Sequence, residues 1–122
     1  MTNQLPATLL FISIVVVATV LGGLAVPLVL GKIGPNVIYG FRTERTLSNP
    51  EIWYIANAFA GKLSIVCSSI MYVLAIIFLI LARCGTMRWS NLLSLASSVL
   101  LVPPVILLIV LLLYNARLPA NK

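Results

Sequence analysis

The residues able to do chemistry crowd into one stretch, residues 34–61, which reads GPNVIYGFRTERTLSNPEIWYIANAFAG and is the one long segment where polar side chains outweigh apolar ones. Arg42, Thr43, Arg45 and Thr46 gather four hydrogen-bonding side chains around Glu44, and Glu51, Trp53 and Tyr54 follow within the next turns. A guanidinium is a planar fork that meets a carboxylate or phosphate through two parallel hydrogen bonds, so this cluster suits an acidic partner segment or lipid phosphates. Two readings of Arg42 stay open, that contact and an internal pair with Glu44 or Glu51, while Arg45 also suits plain headgroup contact. Acid–base catalysis has little to draw on. There is no histidine, and Glu44 and Glu51 are the only carboxylates in the chain. Cys67 lies within an apolar run and Cys84 near its end; about 25 Å of helix would separate them, too far for a disulfide. We expect no metal, no cofactor and no enzyme activity.

The elements that must position this stretch are hydrocarbon-compatible. Of 122 residues, 61% are apolar and 8% charged, against about 25% charged in soluble domains, and the mean hydropathy is +1.15. The formal charge of +6 raises nucleic acid as a partner. The basic residues instead stand singly at the ends of apolar runs, as membrane-flanking residues do, and nucleic acid is excluded as a partner. The fold class is therefore an all-α membrane protein in a single domain. Three transmembrane helices, at about 7–30, 63–82 and 91–114, carry an ordered polar loop and an interfacial helix extension between the first and second.

The first run is too long for the apolar core of a signal peptide and has no Lys or Arg before it, so it reads as a retained span. Pro27 would clash with the carbonyl of Gly23, a residue free enough to relieve the strain, and Gly22, Gly23 and Gly31 suit close helix contact. Gly34 and Pro35 turn the chain. Ile38, Tyr39 and Phe41 are expected to press the loop against the membrane interface. Ser48 and Glu51 have the spacing of a capping box that starts the next helix, with Pro50 tolerated in its first turn. Lys62 divides that helix into an interfacial extension, holding Trp53 and Tyr54 at the depth of an aromatic belt, and a span. Trp53, Asn57, Gly61, Ser64 and Ser68 recur at spacings of four and three, a small and polar stripe that should face protein. The third span is expected to be capped by Ser90 and bent at Pro103 and Pro104, with Ser97 and Ser98 near enough to satisfy freed carbonyls.

Three spans put the termini on opposite sides. The loop and C-terminal tail carry five basic residues, Lys32, Arg42, Arg45, Arg117 and Lys122, against two, Arg83 and Arg88, on the other side. The positive-inside rule then predicts an external N-terminus, with the loop and C-terminus cytoplasmic.

The central residues resemble the signature of the SdpI immunity-protein family, YGxRTxxTLxxxxxWxxxNxxxG, matched here by Tyr39, Gly40, Arg42, Thr43, Thr46, Leu47, Trp53, Asn57 and Gly61. The Gly34, Pro35, Asn36 trio looks like the family's lead-in. The resemblance implies a small, non-catalytic multi-span protein of the bacterial inner membrane that confers immunity to, or senses, a membrane-active peptide toxin, and takes part in signal transduction. The namesake member, which is longer and has a further membrane region before the signature, binds toxin and sequesters a transcriptional repressor. Expected partners are membrane lipids, a peptide toxin or a regulatory or membrane protein, with a homo-oligomer left open. The alternative is an accessory subunit, or a transporter or channel component; against it, no Asp, Glu, Lys, Arg or His falls between Leu63 and Ala82 or between Leu92 and Leu113. Tyr39, Arg42, Thr43, Arg45, Thr46, Trp53 and Asn57 are the candidate binding residues, and Gly23, Pro27, Gly34, Pro35, Ser48, Glu51, Gly61, Pro103 and Pro104 the structural ones.

Overall fold

A computed structural model describes residues 4–119, and every regular element among them is helical. The order is α1 (Gln4–Val29), α2 (Glu44–Leu47), α3 (Pro50–Cys84) and α4 (Trp89–Arg117). Three of these, α1, α3 and α4, are long and apolar enough to cross a membrane. At 35 residues, α3 is the longest. It extends about 50 Å, more than a hydrocarbon core of about 30 Å.

Helix α1 packs along α3. The residues α3 turns inward, Gly61, Ser68, Met71, Ala75, Phe78 and Ala82, are spaced at sevens, fours and threes, and they meet Ile14, Ala18 and Ala25 of α1. That spacing keeps one seam facing a partner helix, and its small members let the backbones approach. A Cβ on Gly61 would lie 2.9 Å from the Ala25 carbonyl and 2.7 Å from Val29 Cγ2, so nothing larger than hydrogen fits. Two polar links cross the seam: Ser68 Oγ donates to the Ala18 carbonyl at 2.6 Å, and the hydroxyls of Thr19 and Tyr72 lie 2.5 Å apart. Gly22 is close to Ser68, but Gly23 has open space where a side chain would be. The close-contact role thus falls to Gly22, because the face that carries Gly23 points away from α3. Pro27 sits inside α1 without ending it. The helix stops at Gly31, whose φ of +64 lets its amide donate to the Leu28 carbonyl and that of Lys32 to Pro27, which satisfies the last turn.

Helix α4 begins after a short turn through Gly85, again left-handed at φ +66. Its N-cap is Arg88, with no side-chain hydrogen bond, and Ser90 already lies inside the helix. The expected Ser90 cap is therefore displaced: the helix starts early enough for Trp89 to join the core with Leu92. Ser97 and Ser98 bond the carbonyls of Leu93 and Ser94, one turn back, rather than those freed by Pro103 and Pro104. A serine in a helix reaches its own preceding turn first. Buried residues of α4 end at Val99. Past that point, around Pro103, α4 and α3 leave an apolar groove of about 350 Å³ between them, lined by Cys67, Ile70 and Leu107 among others.

Candidate functional site

The signature stretch folds as a cap over the ends of α1, α3 and α4. Its centre is Asn57, 1% exposed on the second turn of α3. Asn57 Oδ1 accepts from the Phe41 amide at 2.6 Å, and its Nδ2 donates to the carbonyls of Trp53 at 3.0 Å and Phe41 at 3.3 Å. One turn earlier Trp53 is fully buried, and its Nε1 donates to the Ile33 carbonyl at 2.8 Å. Trp53 is thus not a belt residue. The loop closes over the indole, and only Tyr54 stays exposed where an interfacial aromatic was expected. Both contacts require Gly40, because its φ is +113 and a Cβ there would lie 2.6 Å from Asn57 Oδ1.

The loop before Gly40 is shaped by Asn36. Its Oδ1 accepts from the amides of Ile38 and Tyr39, at 2.9 and 2.7 Å, while its Nδ2 donates to the carbonyls of Gly34 and Tyr39. An asparagine that bonds its own following backbone in this way fixes a turn. Tyr39 sends its hydroxyl to the Leu24 carbonyl of α1. Tyr39 and Phe41 therefore face protein and line a second cavity, of about 300 Å³, with Leu24, Ser64 and Leu107.

After Gly40 the chain makes an unanticipated helical turn, α2, where the capping box lies. Thr43 Oγ1 accepts from the Thr46 amide at 3.2 Å, and Thr46 Oγ1 accepts from the Thr43 amide at 2.8 Å. Thr46 is fully buried and also donates to the Phe41 carbonyl. The expected box from Ser48 to Glu51 is replaced: Asn49 caps α3, its Oδ1 accepting from the Glu51 amide at 2.8 Å. Proline forces the residue before it into an extended conformation. Asn49, at φ −145 and ψ 124, is therefore the cap, while Ser48 stays helical and donates to the Arg45 carbonyl. Glu51 keeps a favourable place in the first turn.

The arginines are also turned to the backbone. Arg42 donates to the Val37 carbonyl rather than pairing with Glu44 or Glu51. Arg45 reaches across to α4 and donates to the carbonyls of Asn115, Ala116 and Leu118 at 3.1, 3.0 and 2.7 Å, while Thr43 Oγ1 donates to Asn115 Oδ1 at 2.7 Å. The last carbonyls of a helix lack intrahelical partners and carry its negative dipole end, so a cation there answers both needs. Phe59 stacks on Tyr114 with ring centres 4.2 Å apart and completes the junction.

All the candidate binding residues are thus brought together, and each has a partner within the fold. Among the described residues no buried side-chain nitrogen or oxygen lacks a hydrogen bond. Gly34 packs near the Tyr54 hydroxyl. Asn36 was expected only as part of a lead-in trio, and Asn115 was not anticipated. The first was signalled by its place after Gly-Pro, the second by being a lone amide at the end of an apolar run. Lys122 lies outside the described residues.

No curated protein and no solved structure matches the chain. The model of the SdpI/YfhL protein family matches residues 32–115. That interval runs from the start of the loop to the asparagine that Thr43 and Arg45 hold, so the matched unit is the cap with the two helices it joins. With well over half of its length matched, this chain belongs to the SdpI/YfhL protein family.

Proposed function

We propose that this multi-pass membrane protein is non-catalytic and confers immunity to, or senses, a membrane-active peptide toxin through contacts within the bilayer. Family membership supports the toxin reading. The observation that carries the mechanism is the division of labour in the fold: the signature's polar groups bond one another and the backbone, while α4, packed in the core through Leu92, Ala96 and Val99 and held at its end by Thr43 and Arg45, leaves an apolar groove against α3 beside Pro103. Such an arrangement offers apolar surface in place of a reactive group. A hydrophobic peptide entering the bilayer would meet the groove beside Pro103. The basic residues, weighted to the loop end, support a cytoplasmic cap and C-terminus with the N-terminus outside.

The test is survival of toxin-sensitive bacteria that express the chain, challenged with a membrane-active peptide. Protection is expected, and Leu107→Trp, which fills the groove, should reduce it at equal membrane abundance. Failure to protect against any such peptide, with no crosslink between peptide and groove, would overturn the reading.

A further inference from the structure

Most of the loop is turned inward, but Val37 and Ile38 are 75% and 85% exposed, the highest values among the large apolar side chains described. Their exposure is built in, because Asn36 holds the amides of Ile38 and Tyr39 from below. Their level along the helices follows from the contacts of the two residues after them. Gly40 touches Asn57, one turn of about 5.4 Å from Gly61, which itself lies against Ala25 and Val29 at the end of α1. Tyr39 reaches further down, to the Leu24 carbonyl. The tip therefore stands beside the last turn of α1, where the apolar run gives way to Lys32, and not out beyond the cap.

Charge accompanies the apolar pair. Arg42 donates to the Val37 carbonyl and is otherwise exposed, which leaves further N–H donors of its guanidinium outward, and Lys32 is exposed nearby in sequence. Glu44 is the nearest acid in sequence, and it sits in the first turn of α2, where the helix end favours it. Two branched apolar side chains backed by a fork for phosphate match the boundary between acyl chains and anionic headgroups.

We propose that Val37 and Ile38 form a wedge that enters the headgroup–acyl boundary of the bilayer, with the Arg42 guanidinium on the phosphates of anionic lipids above it. The wedge rests on the membrane reading but not on the toxin. Bilayer lipid, rather than a protein partner, is its occupant because the tip lies at the depth where α1 leaves the apolar phase.

The test uses the full chain with Cys84→Ser and Ile38→Cys, labelled with an environment-sensitive dye and reconstituted alone into vesicles of phosphatidylcholine with or without phosphatidylglycerol. With Trp89→Phe added so that Trp53 alone emits, unchanged tryptophan emission shows that the loop is folded, and Val37→Cys serves as a second site. The expected result is blue-shifted emission, quenched by lipids spin-labelled near the headgroup and shielded from aqueous iodide, more strongly with phosphatidylglycerol. Arg42→Gln should remove that dependence on anionic lipid. Emission of a fully hydrated dye at both sites, equally open to iodide in both vesicles, would overturn the proposal. Shielding found only in native membranes would overturn it in favour of a protein partner, and an anionic-lipid response unchanged in Arg42→Gln would refute the role of the guanidinium. No toxin is present in these vesicles, so a negative result leaves the immunity reading standing.

Discussion

Replacing Asn57 by alanine should release the signature loop while leaving the α1–α3 seam intact. Three hydrogen bonds are lost, but they are not equal. The Phe41 carbonyl keeps Thr46 Oγ1 as a donor, and the Trp53 carbonyl belongs to an α-helix, so the loss of Nδ2 costs little. The Phe41 amide has only Asn57 Oδ1, at 2.6 Å, and is stranded. An enclosed amide without an acceptor costs about 1–3 kcal/mol. Side-chain hydrogen bonds between membrane helices average nearer ~0.6 kcal/mol, because the separated helices find other partners. The larger figure applies here, since the rival state of this loop is an open one and its amide gains water only by leaving the cap. About 2 kcal/mol corresponds to a roughly 30-fold loss of protection. Hydrogen exchange of the purified protein reads this directly: peptides covering residues 33–47 should exchange about 30-fold faster, while those covering the buried seam of α3 keep their rate. Wild-type exchange at residues 33–47 would refute the argument that Asn57 holds the loop, and equal acceleration everywhere would show that the cap and the seam are one cooperative unit.

Further outcomes follow from the same contacts. Gly61→Ala should weaken the seam by about 1–3 kcal/mol, as overpacking does, because the Ala25 carbonyl that a Cβ would meet is backbone; on heating, buried Cys67 should become reactive to thiol reagents at a lower temperature than in the parent. In the folded protein at ambient temperature exposed Cys84 should label and Cys67 should not, and comparable labelling of both would contradict the packing of α3. Arg45→Ala should cost about 1.5–3 kcal/mol, the range for bonds made by a charged donor, and should show as faster exchange at the C-terminal end of α4; Arg45→Lys should recover only part, since all three carbonyls are met by the terminal Nη1 and the shorter lysine stem does not carry its ammonium as far.

What the sequence could reveal is governed by local rules. Three long apolar runs leave helix as the structure that satisfies every backbone group in lipid, and the recurrence of Asn57, Gly61 and Ser68 at helical spacing marked the face that meets protein. Trp53 shared that stripe, yet its class average suggested a belt residue. Only the loop folding back over it made it core, through a bond to Ile33, 20 residues earlier. The cap on α3 was misplaced by one residue because the box pattern competed with the restriction that Pro50 imposes on Asn49. That rule is equally local and was legible.

The partners of Arg42 and Arg45 were not legible. An arginine in a polar loop has the same local sequence whether it meets a phosphate, a carboxylate or a helix end. Sequence alone determined the three long helices, which faces are small and that the polar residues cluster at one end, but not the short turn α2. Tertiary structure decided that Arg45 and Thr43 close onto Asn115, some seventy positions along the chain, and that α4 and α3 leave an apolar groove between them beside Pro103. The reason is physical: helix formation is settled among residues three and four apart, whereas the choice of hydrogen-bond partner for a long side chain depends on which carbonyls the packed helices leave unpaired within its reach.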